Sequence, residues 1–266
     1  MSYLQAVIIA IVQGITEFLP ISSTGHISVA ESLMGIKKTD FITLNTVSIH
    51  FGTILAVIVI YWKRFFQSIS FYYKLFVAFI PAAIIGLALG KYIEKLQENV
   101  LVAVGAIFLG GIFLIFVDKI FEQNEKNEEI EKKEPNFKSS FIIGLFQAIA
   151  LIPGVSRSGA TIIGGLTQKL NRKNATDFAF LLSVPTVLAA SVYKMYKAKD
   201  LLKANDINLL IVGNIVSFVV AIFAIKTFIA IIQKYGFKAF GYYRIIFAAI
   251  IIIIYFTFPS LGLTLD

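Results

Sequence analysis

The sequence contains no cysteine and only two histidines, His26 and His50. A chain without cysteine forms no disulfide and has neither a thiol nucleophile nor a cysteine-built metal site. Any reaction that this protein catalyses must therefore use hydroxyl, carboxylate, imidazole or guanidinium groups.

Charged residues are also scarce: they make up 15% of the 266 residues, whereas 58% are hydrophobic. A soluble domain carries more charge on its surface, so this composition indicates an integral membrane protein surrounded by a lipid bilayer. The net charge of +8 comes from basic residues that lie in short clusters between apolar runs. This pattern is typical of membrane topology, and we expect no nucleic-acid partner. The N-terminus lacks the basic segment that opens a secretory signal, so we expect it to belong to the mature protein.

Long apolar runs are what the sequence has instead of charge. A helix needs about 17 to 25 apolar residues to cross a bilayer, and six runs meet this requirement, near residues 41–62, 75–90, 100–117, 177–195, 207–227 and 244–260. Polar breaks separate them, the last being "IQKYGFKAFGYYR". The longest break, 119–138, is rich in both signs of charge and predicts a solvated linker between two halves, 1–118 and 139–266, of a single membrane domain that covers 1–266.

Two further apolar segments, 4–29 and 139–168, are each interrupted by proline followed by serine and glycine. Non-helical backbone is tolerated at membrane depth where protein or a water-filled cavity supplies hydrogen bonds, so these segments predict re-entrant helical hairpins. "QGITEFLPISSTGH" resembles "QAIALIPGVSRSGAT", and each precedes three spans. The predicted fold is therefore all-α, a polytopic membrane protein with six transmembrane helices plus two re-entrant helical hairpins in an inverted repeat. The distribution of basic residues favours an N-terminus outside the cell.

Arg157, in the second hairpin, is the residue that most needs an explanation. An arginine at membrane depth costs at least about 2.5 to 3.5 kcal/mol, so it faces a cavity, a partner charge or a ligand. Hydroxyls and bare backbone surround it at a predicted helix start, and a planar guanidinium beside such amides suits a phosphate group. A structural ion pair with Glu17 is the alternative. The surrounding residues are Ser156, Ser158, Gly159 and Thr161.

The first hairpin places a carboxylate, hydroxyls and an imidazole close together in sequence: Glu17, Ser22, Ser23, Thr24, Gly25 and His26. A histidine can transfer a proton, a hydroxyl can attack phosphorus, and a carboxylate can orient the base or hold a divalent cation. As alternatives, the hydroxyls bond the backbone and His26 is a hydrogen-bonded interfacial residue. His50 lies in an apolar span with no local polar cluster, and we expect a structural role for it.

The paired segments "QGITEFLPISSTGH" and "PGVSRSGAT" resemble the signatures of the bacterial undecaprenyl-diphosphate phosphatases, the family linked to bacitracin resistance. "FGTILAVIVIYWKR", "FAFLLSVP" and "AIKTF" follow in the expected order, so the resemblance covers most of the chain. It implies an enzyme of the bacterial cytoplasmic membrane that hydrolyses undecaprenyl diphosphate to undecaprenyl phosphate. The product is a carrier lipid reused in cell-wall synthesis, and the active site is expected to face the outer side.

The resemblance also implies roles for single residues. Glu17 is then the motif carboxylate, and His26 lines the catalytic pocket with Ser22, Ser23 and Thr24. We hypothesise that His26 is the proton shuttle; the attacking group could be Ser23, Ser22 or a water. Gln13 occupies the first acidic position of the motif, so a mechanism that needs two carboxylates there is in doubt. A divalent cation, Mg²⁺ or Ca²⁺, would rest on Glu17 and the substrate phosphates. The expected substrate-binding residues are Gln13, Thr24, Gly25, Ser156, Ser158, Gly159 and Thr161.

Two other functions are weighed against this one. A lipid-phosphate flippase or transporter shares the architecture of inverted repeats with broken helices, and it would move its substrate unchanged. A purely structural membrane protein would not need Arg157. The sequence leaves open whether the chain forms a homodimer.

Overall fold

The computed structural model describes all residues except 38, 67, 98, 127–133, 198–206 and 260–266. The described part of the chain is helical and contains no strand. Its α-helices are α1 (Tyr3–Thr16), α2 (Ser23–Leu33), α3 (Asp40–Ile60), α4 (Ile69–Gln97), α5 (Val100–Ile120), α6 (Glu122–Lys126), α7 (Phe137–Ile149), α8 (Arg157–Thr167), α9 (Arg172–Lys197), α10 (Ile207–Tyr235) and α11 (Lys238–Thr257). A 3₁₀-helix, Trp62–Phe66, joins α3 to α4.

Six of these helices, α3, α4, α5, α9, α10 and α11, are long and apolar enough to cross a membrane. All six predicted spans are thus found, and α4, α9 and α10 run several residues beyond the predicted ends. The last predicted span and its preceding polar break need correction. Because α11 begins at Lys238, Arg244 lies within the helix, where it is 1% exposed.

The helices of the two interrupted segments, α1, α2, α7 and α8, are each 11 to 14 residues long. At 1.5 Å per residue they reach only about 16 to 21 Å, too short to cross a bilayer alone. The breaks fall at residues 17–22 and 150–156, where proline, serine and glycine predict them. This geometry suits the predicted re-entrant hairpins, whose position in a membrane stays a prediction.

Corresponding helices of the two halves pack in a reciprocal way. Helix α1 packs on α10 of the other half, and α7 packs on α4, while α5 and α11 pack on each other. This exchange of partners is what an inverted repeat predicts. Phe18, fully buried next to Glu17, packs edge-on against Phe180 of α9 with ring centroids 5.2 Å apart. The central hydrophobic core therefore anchors the backbone on which Glu17 lies.

The linker 119–138 is described only at 119–126 and 134–138, and its middle lies outside the described residues. Individual contacts join its described ends to the helices, while most of their residues are exposed, and the solvated linker stays a prediction. Asn124 in α6 donates to the carbonyl oxygens of Leu166 and Leu170, and Glu134 pairs with Arg64 and Lys74.

Candidate active site

The two breaks have the same backbone feature. Ser22 directly precedes α2 with φ 71°, and Ser156 directly precedes α8 with φ 73°. A non-glycine residue with positive φ is uncommon and costs of order 1 to 3 kcal/mol, and such residues concentrate at functional sites. The breaks also touch, since the Ser158 hydroxyl donates to the carbonyl oxygen of Leu19 at 2.8 Å. The starts of α2 and α8 are thereby brought together.

Glu17 is the polar centre of this contact, and it is 8% exposed. Its Oε1 accepts from Nη2 of Arg157 at 2.7 Å, so the structure forms the ion pair that the sequence offered as an alternative. Its Oε2 accepts from Gln13 Nε2 at 2.8 Å and from the Ser23 hydroxyl at 3.1 Å, while His50 Nε2 lies 3.6 Å from the same oxygen. The Arg157 guanidinium and the hydrogen bonds from Gln13 and Ser23 all favour the ionised form of Glu17, a carboxylate.

A cavity of about 270 Å³ opens beside this centre. Six of the residues predicted from the sequence line it: Glu17, Ser22, Ser23, Thr24, Ser156 and Arg157. A second cavity, of about 290 Å³, shares Ser23, Thr24 and His50 with the first and extends to Gln13. The two cavities therefore adjoin at the start of α2.

The cavity is suited to an anion. Residues at the N-termini of both α2 and α8 line it, and a helix N-terminus carries about half a positive charge. Arg157 adds a full charge, and its Nη1 is buried without a hydrogen-bond partner. A guanidinium grips phosphate oxygens through pairs of parallel N–H bonds, and Arg157 keeps unused hydrogen-bonding capacity on Nη1 while Nη2 holds Glu17.

The other predicted residues lie outside both cavities. His26 Nδ1 donates to Ser22 O at 2.8 Å, Nε2 lies 2.6 Å from the Tyr243 hydroxyl, and the ring stacks on Phe247 with centroids 3.9 Å apart. Burial lowers the pKa of His26, which favours the neutral imidazole. The sequence placed His26 in the pocket, and the structure places it behind the tip, where it supports the Ser22 backbone.

Gly25, Ser158, Gly159 and Thr161 hold the tips together instead of lining the cavities. A Cβ on Gly159 would lie 3.3 Å from the Cβ of Pro20, and one on Gly25 would lie 3.2 Å from Ile107. The Thr161 hydroxyl donates to the carbonyl oxygens of Arg157 and Ser158, which is the backbone-bonded role that the sequence kept as an alternative. These residues shape the site through packing.

Several residues that line the cavity were not predicted as site residues, among them His50, Thr186 and Lys194. His50 lies in an apolar span without a cluster of charged residues around it, so the sequence predicted a structural role. Folding brings it to Glu17, 33 positions earlier. Thr186 and Lys194 line the cavity from α9, and Thr186 also donates to Gln147 Oε1 at 3.1 Å. Gln147 occupies the position in "QAIALIPGVSRSGAT" that Gln13 occupies in the first motif, which was the available signal.

The residues around Glu17 do not fit a protein-built site for a divalent cation. Both carboxylate oxygens already accept hydrogen bonds, and no group of three or more histidine or acidic side chains is found among the residues that the structure describes. Gln13 Oε1 is buried without a partner, but one amide oxygen is far fewer than the six oxygen ligands that Mg²⁺ or Ca²⁺ takes. Any cation must bring most of its ligands from elsewhere, so the expectation for Mg²⁺ or Ca²⁺ stays a prediction.

Known proteins resemble this chain over nearly its whole length. Residues 6–250 match the family model described as "Bacitracin resistance protein BacA". A protein of Flavobacterium johnsoniae named "Undecaprenyl-diphosphatase" is 50% identical over 259 residues, 96% of this chain and 97% of the relative. Proteins with the same name from Bdellovibrio bacteriovorus (50% identical; 97% of each chain) and Aquifex aeolicus (45% identical; 91% of this chain and 94% of the relative) are similar as well.

Proposed function

Because the chain belongs to the bacitracin resistance protein BacA family, we propose that it is a membrane phosphatase that hydrolyses undecaprenyl diphosphate to undecaprenyl phosphate and inorganic phosphate. One observation carries the proposal. Two helix N-termini, Arg157, whose Nη1 has no hydrogen-bond partner, and Ser23, whose hydroxyl donates to Glu17, line a single cavity. A phosphoryl group needs this combination of positive charge and nucleophile.

Ser23 is the nucleophile in this proposal. Its hydroxyl already donates to Glu17 Oε2 at 3.1 Å and lies at the start of α2. Ser23 Oγ forms a bond to the terminal phosphorus, the bridging P–O bond breaks, and undecaprenyl phosphate leaves while the hydroxyl proton passes to Glu17. A water then attacks the phosphoserine and releases inorganic phosphate, which restores Ser23.

Arg157 links substrate binding to the basicity of Glu17. In the free protein the guanidinium holds Glu17 Oε1 at 2.7 Å, which stabilises the carboxylate and weakens it as a base. An incoming diphosphate competes for the same guanidinium. As Arg157 turns toward phosphate, Glu17 loses a stabilising partner and becomes a better proton acceptor at the moment when Ser23 must be activated. His50, 3.6 Å from Oε2, is placed to take the proton onward.

The second phosphate and the lipid tail need their own contacts. Lys194 lines both cavities and supplies a second cation, which suits the phosphate that stays on the lipid. The tail leaves through the apolar side of the cavity, formed by Leu151, Val187 and Ala190. All of these residues come from one chain, so a homodimer is not needed for the reaction.

Membership of this bacterial family supports a location in the cytoplasmic membrane. Together with the N-out orientation that the basic residues favour, it supports a site open to the outer side. Dephosphorylation there returns the carrier lipid for cell-wall synthesis. It also supports bacitracin resistance, the property for which the family is named.

The experiment that tests the proposal is phosphate release from undecaprenyl diphosphate by the purified protein in detergent. Wild type should release phosphate, and Arg157→Ala should not, at matched folding. Arg64→Ala is the matched control, since Arg64 pairs with Glu134 and lies beyond the end of α3. Well-folded wild type that releases no phosphate, with or without divalent cation, refutes the phosphatase and favours a transporter.

A further inference from the structure

Arg244 in α11 is the largest side chain that is fully buried among the described residues. A guanidinium has five N–H donors, and all five of its hydrogen bonds here go to backbone carbonyl oxygens. Nε donates to Ile107 O at 3.0 Å, Nη1 to Pro20 O at 3.1 Å and Val155 O at 3.2 Å, and Nη2 to Ala106 O at 3.0 Å and Gly154 O at 2.9 Å. The donor capacity of Arg244 is therefore fully used.

These acceptors belong to three separate segments. Pro20 lies in the break between α1 and α2, Gly154 and Val155 lie in the break between α7 and α8, and the remaining two lie in α5. Carbonyl groups in a broken helix lack their intrahelical partners and must be satisfied by other groups when they are buried. Arg244 supplies those partners to both breaks at once and ties them to a third helix.

The reacting groups follow these acceptors closely along the chain. Ser23 comes three residues after Pro20, and Arg157 comes two residues after Val155. The position of the nucleophile relative to the phosphate-binding guanidinium therefore depends on how the two breaks are held. Arg244 itself lines neither of the two cavities at the site.

We infer that Arg244 is a positioning residue that sets the spacing between the Ser23 tip and the Arg157 tip and thereby controls the rate of the chemical step. This inference rests on the proposed phosphatase function. Lysine cannot replace it, because one ammonium nitrogen with three donors does not reach three segments.

A glycine on α5 offers a way to disturb Arg244 without changing its charge. A Cβ on Gly110 would lie 2.5 Å from Nη2 of Arg244 and 2.9 Å from its Cζ, so Gly110→Ala must displace the guanidinium. Gly105 lies on the same helix with nothing within 4 Å of the position of its Cβ. Gly105→Ala is therefore a matched control that makes the same chemical change without touching Arg244.

The kinetic test compares these variants in steady-state phosphate release. A displacement of about 1 Å at a reacting group costs on the order of 10²-fold, so we expect Gly110→Ala to lower kcat about 10- to 100-fold. Its KM should stay within about threefold of wild type, because the cavity residues that bind phosphate are intact. Arg244→Lys should behave in the same way, and Gly105→Ala should match wild type. A Gly110→Ala or Arg244→Lys variant with wild-type kcat overturns the inference, as does a change in KM alone.

A second measurement does not depend on activity and so separates this inference from the proposed function. The sequence has no cysteine, and a Cβ at position 159 lies 3.3 Å from that of Pro20, close to the usual disulfide range of about 3.5 to 4.5 Å. The double variant Pro20→Cys, Gly159→Cys should therefore cross-link on oxidation. Adding Gly110→Ala should slow cross-linking at least about threefold, whereas adding Gly105→Ala should not. Equal rates in both backgrounds refute the positioning role even in a protein that releases no phosphate.

Discussion

Replacing Arg157 with lysine isolates the geometry of the guanidinium from its charge. In the structure Nη2 holds Glu17 Oε1 at 2.7 Å, and Nη1 is buried without a partner. Lysine keeps the positive charge but has one nitrogen and no planar fork, so once it leaves Glu17 it does not grip two phosphate oxygens through parallel N–H bonds. At least one charge-assisted hydrogen bond is lost in the transition state, worth about 1.5 to 3 kcal/mol. At 1.36 kcal/mol per factor of ten, kcat/KM should fall about 10- to 150-fold.

The assay is the initial rate of phosphate release over a range of undecaprenyl diphosphate concentrations, with thermal unfolding in the same detergent as a check on folding. Arg64→Lys, at the exposed ion pair with Glu134, serves as the control and should match wild type. Arg157→Lys that is folded and retains wild-type kcat/KM would refute the argument that a bidentate grip on phosphate is required. A loss in both lysine variants would point to a nonspecific effect of the substitution.

Four further predictions follow from the site. Ser23→Ala should abolish phosphate release without loss of thermal stability; residual turnover near wild type would show that a water attacks instead. Lys194→Met should raise KM about three- to tenfold and leave kcat largely unchanged, as expected for a single exposed cation that binds phosphate; an unchanged KM contradicts its role. Because burial lowers the pKa of His26 below its usual value, the unfolded chain binds this proton more readily, and stability should fall as the pH drops below about 6.5. His26→Phe should remove part of that pH dependence in thermal unfolding, and an identical profile would refute it. Calorimetric titration of Mg²⁺ or Ca²⁺ into the substrate-free protein should show no saturable binding, because Glu17 is already occupied; tight binding would reveal a cation site.

Local features of the sequence predicted most of the fold. Hydropathy is a property of consecutive residues, so the six spans could be found without knowing how they pack, and the prolines with their serine and glycine neighbours marked both breaks. His26 shows the limit of this reasoning. On α2 it lies about 160° from Thr24 but only about 60° from Ser23, so helix periodicity alone does not decide its side, and in the structure it lines neither cavity.

Long-range packing decided what the sequence missed. His50 meets Glu17 only because α3 packs beside α1. Arg244 finds acceptors 89 to 224 positions away, and in the sequence it stands at the end of a polar break, which suggested a loop. No pattern among consecutive residues indicates the partners of His50 or those of Arg244. A single sequence therefore reveals Arg157, because it is isolated in an apolar region. It does not reveal that Arg244 hydrogen-bonds the two breaks around Arg157.

The contact between Arg157 and Glu17 has a consequence for how the phosphatase discriminates among anions. In the free protein, Arg157 Nη2 already donates to Glu17 Oε1 at 2.7 Å, so any ligand must compete with this carboxylate for the guanidinium. Inorganic phosphate must displace Glu17 through its own charge alone. A diphosphate lipid gains additional binding free energy from Lys194 and from the apolar wall of the cavity. Competition from Glu17 therefore weakens the binding of free phosphate more than that of the diphosphate lipid. The same competition speeds the release of the product phosphate, because Glu17 can re-form its ion pair with Arg157 once the lipid has left.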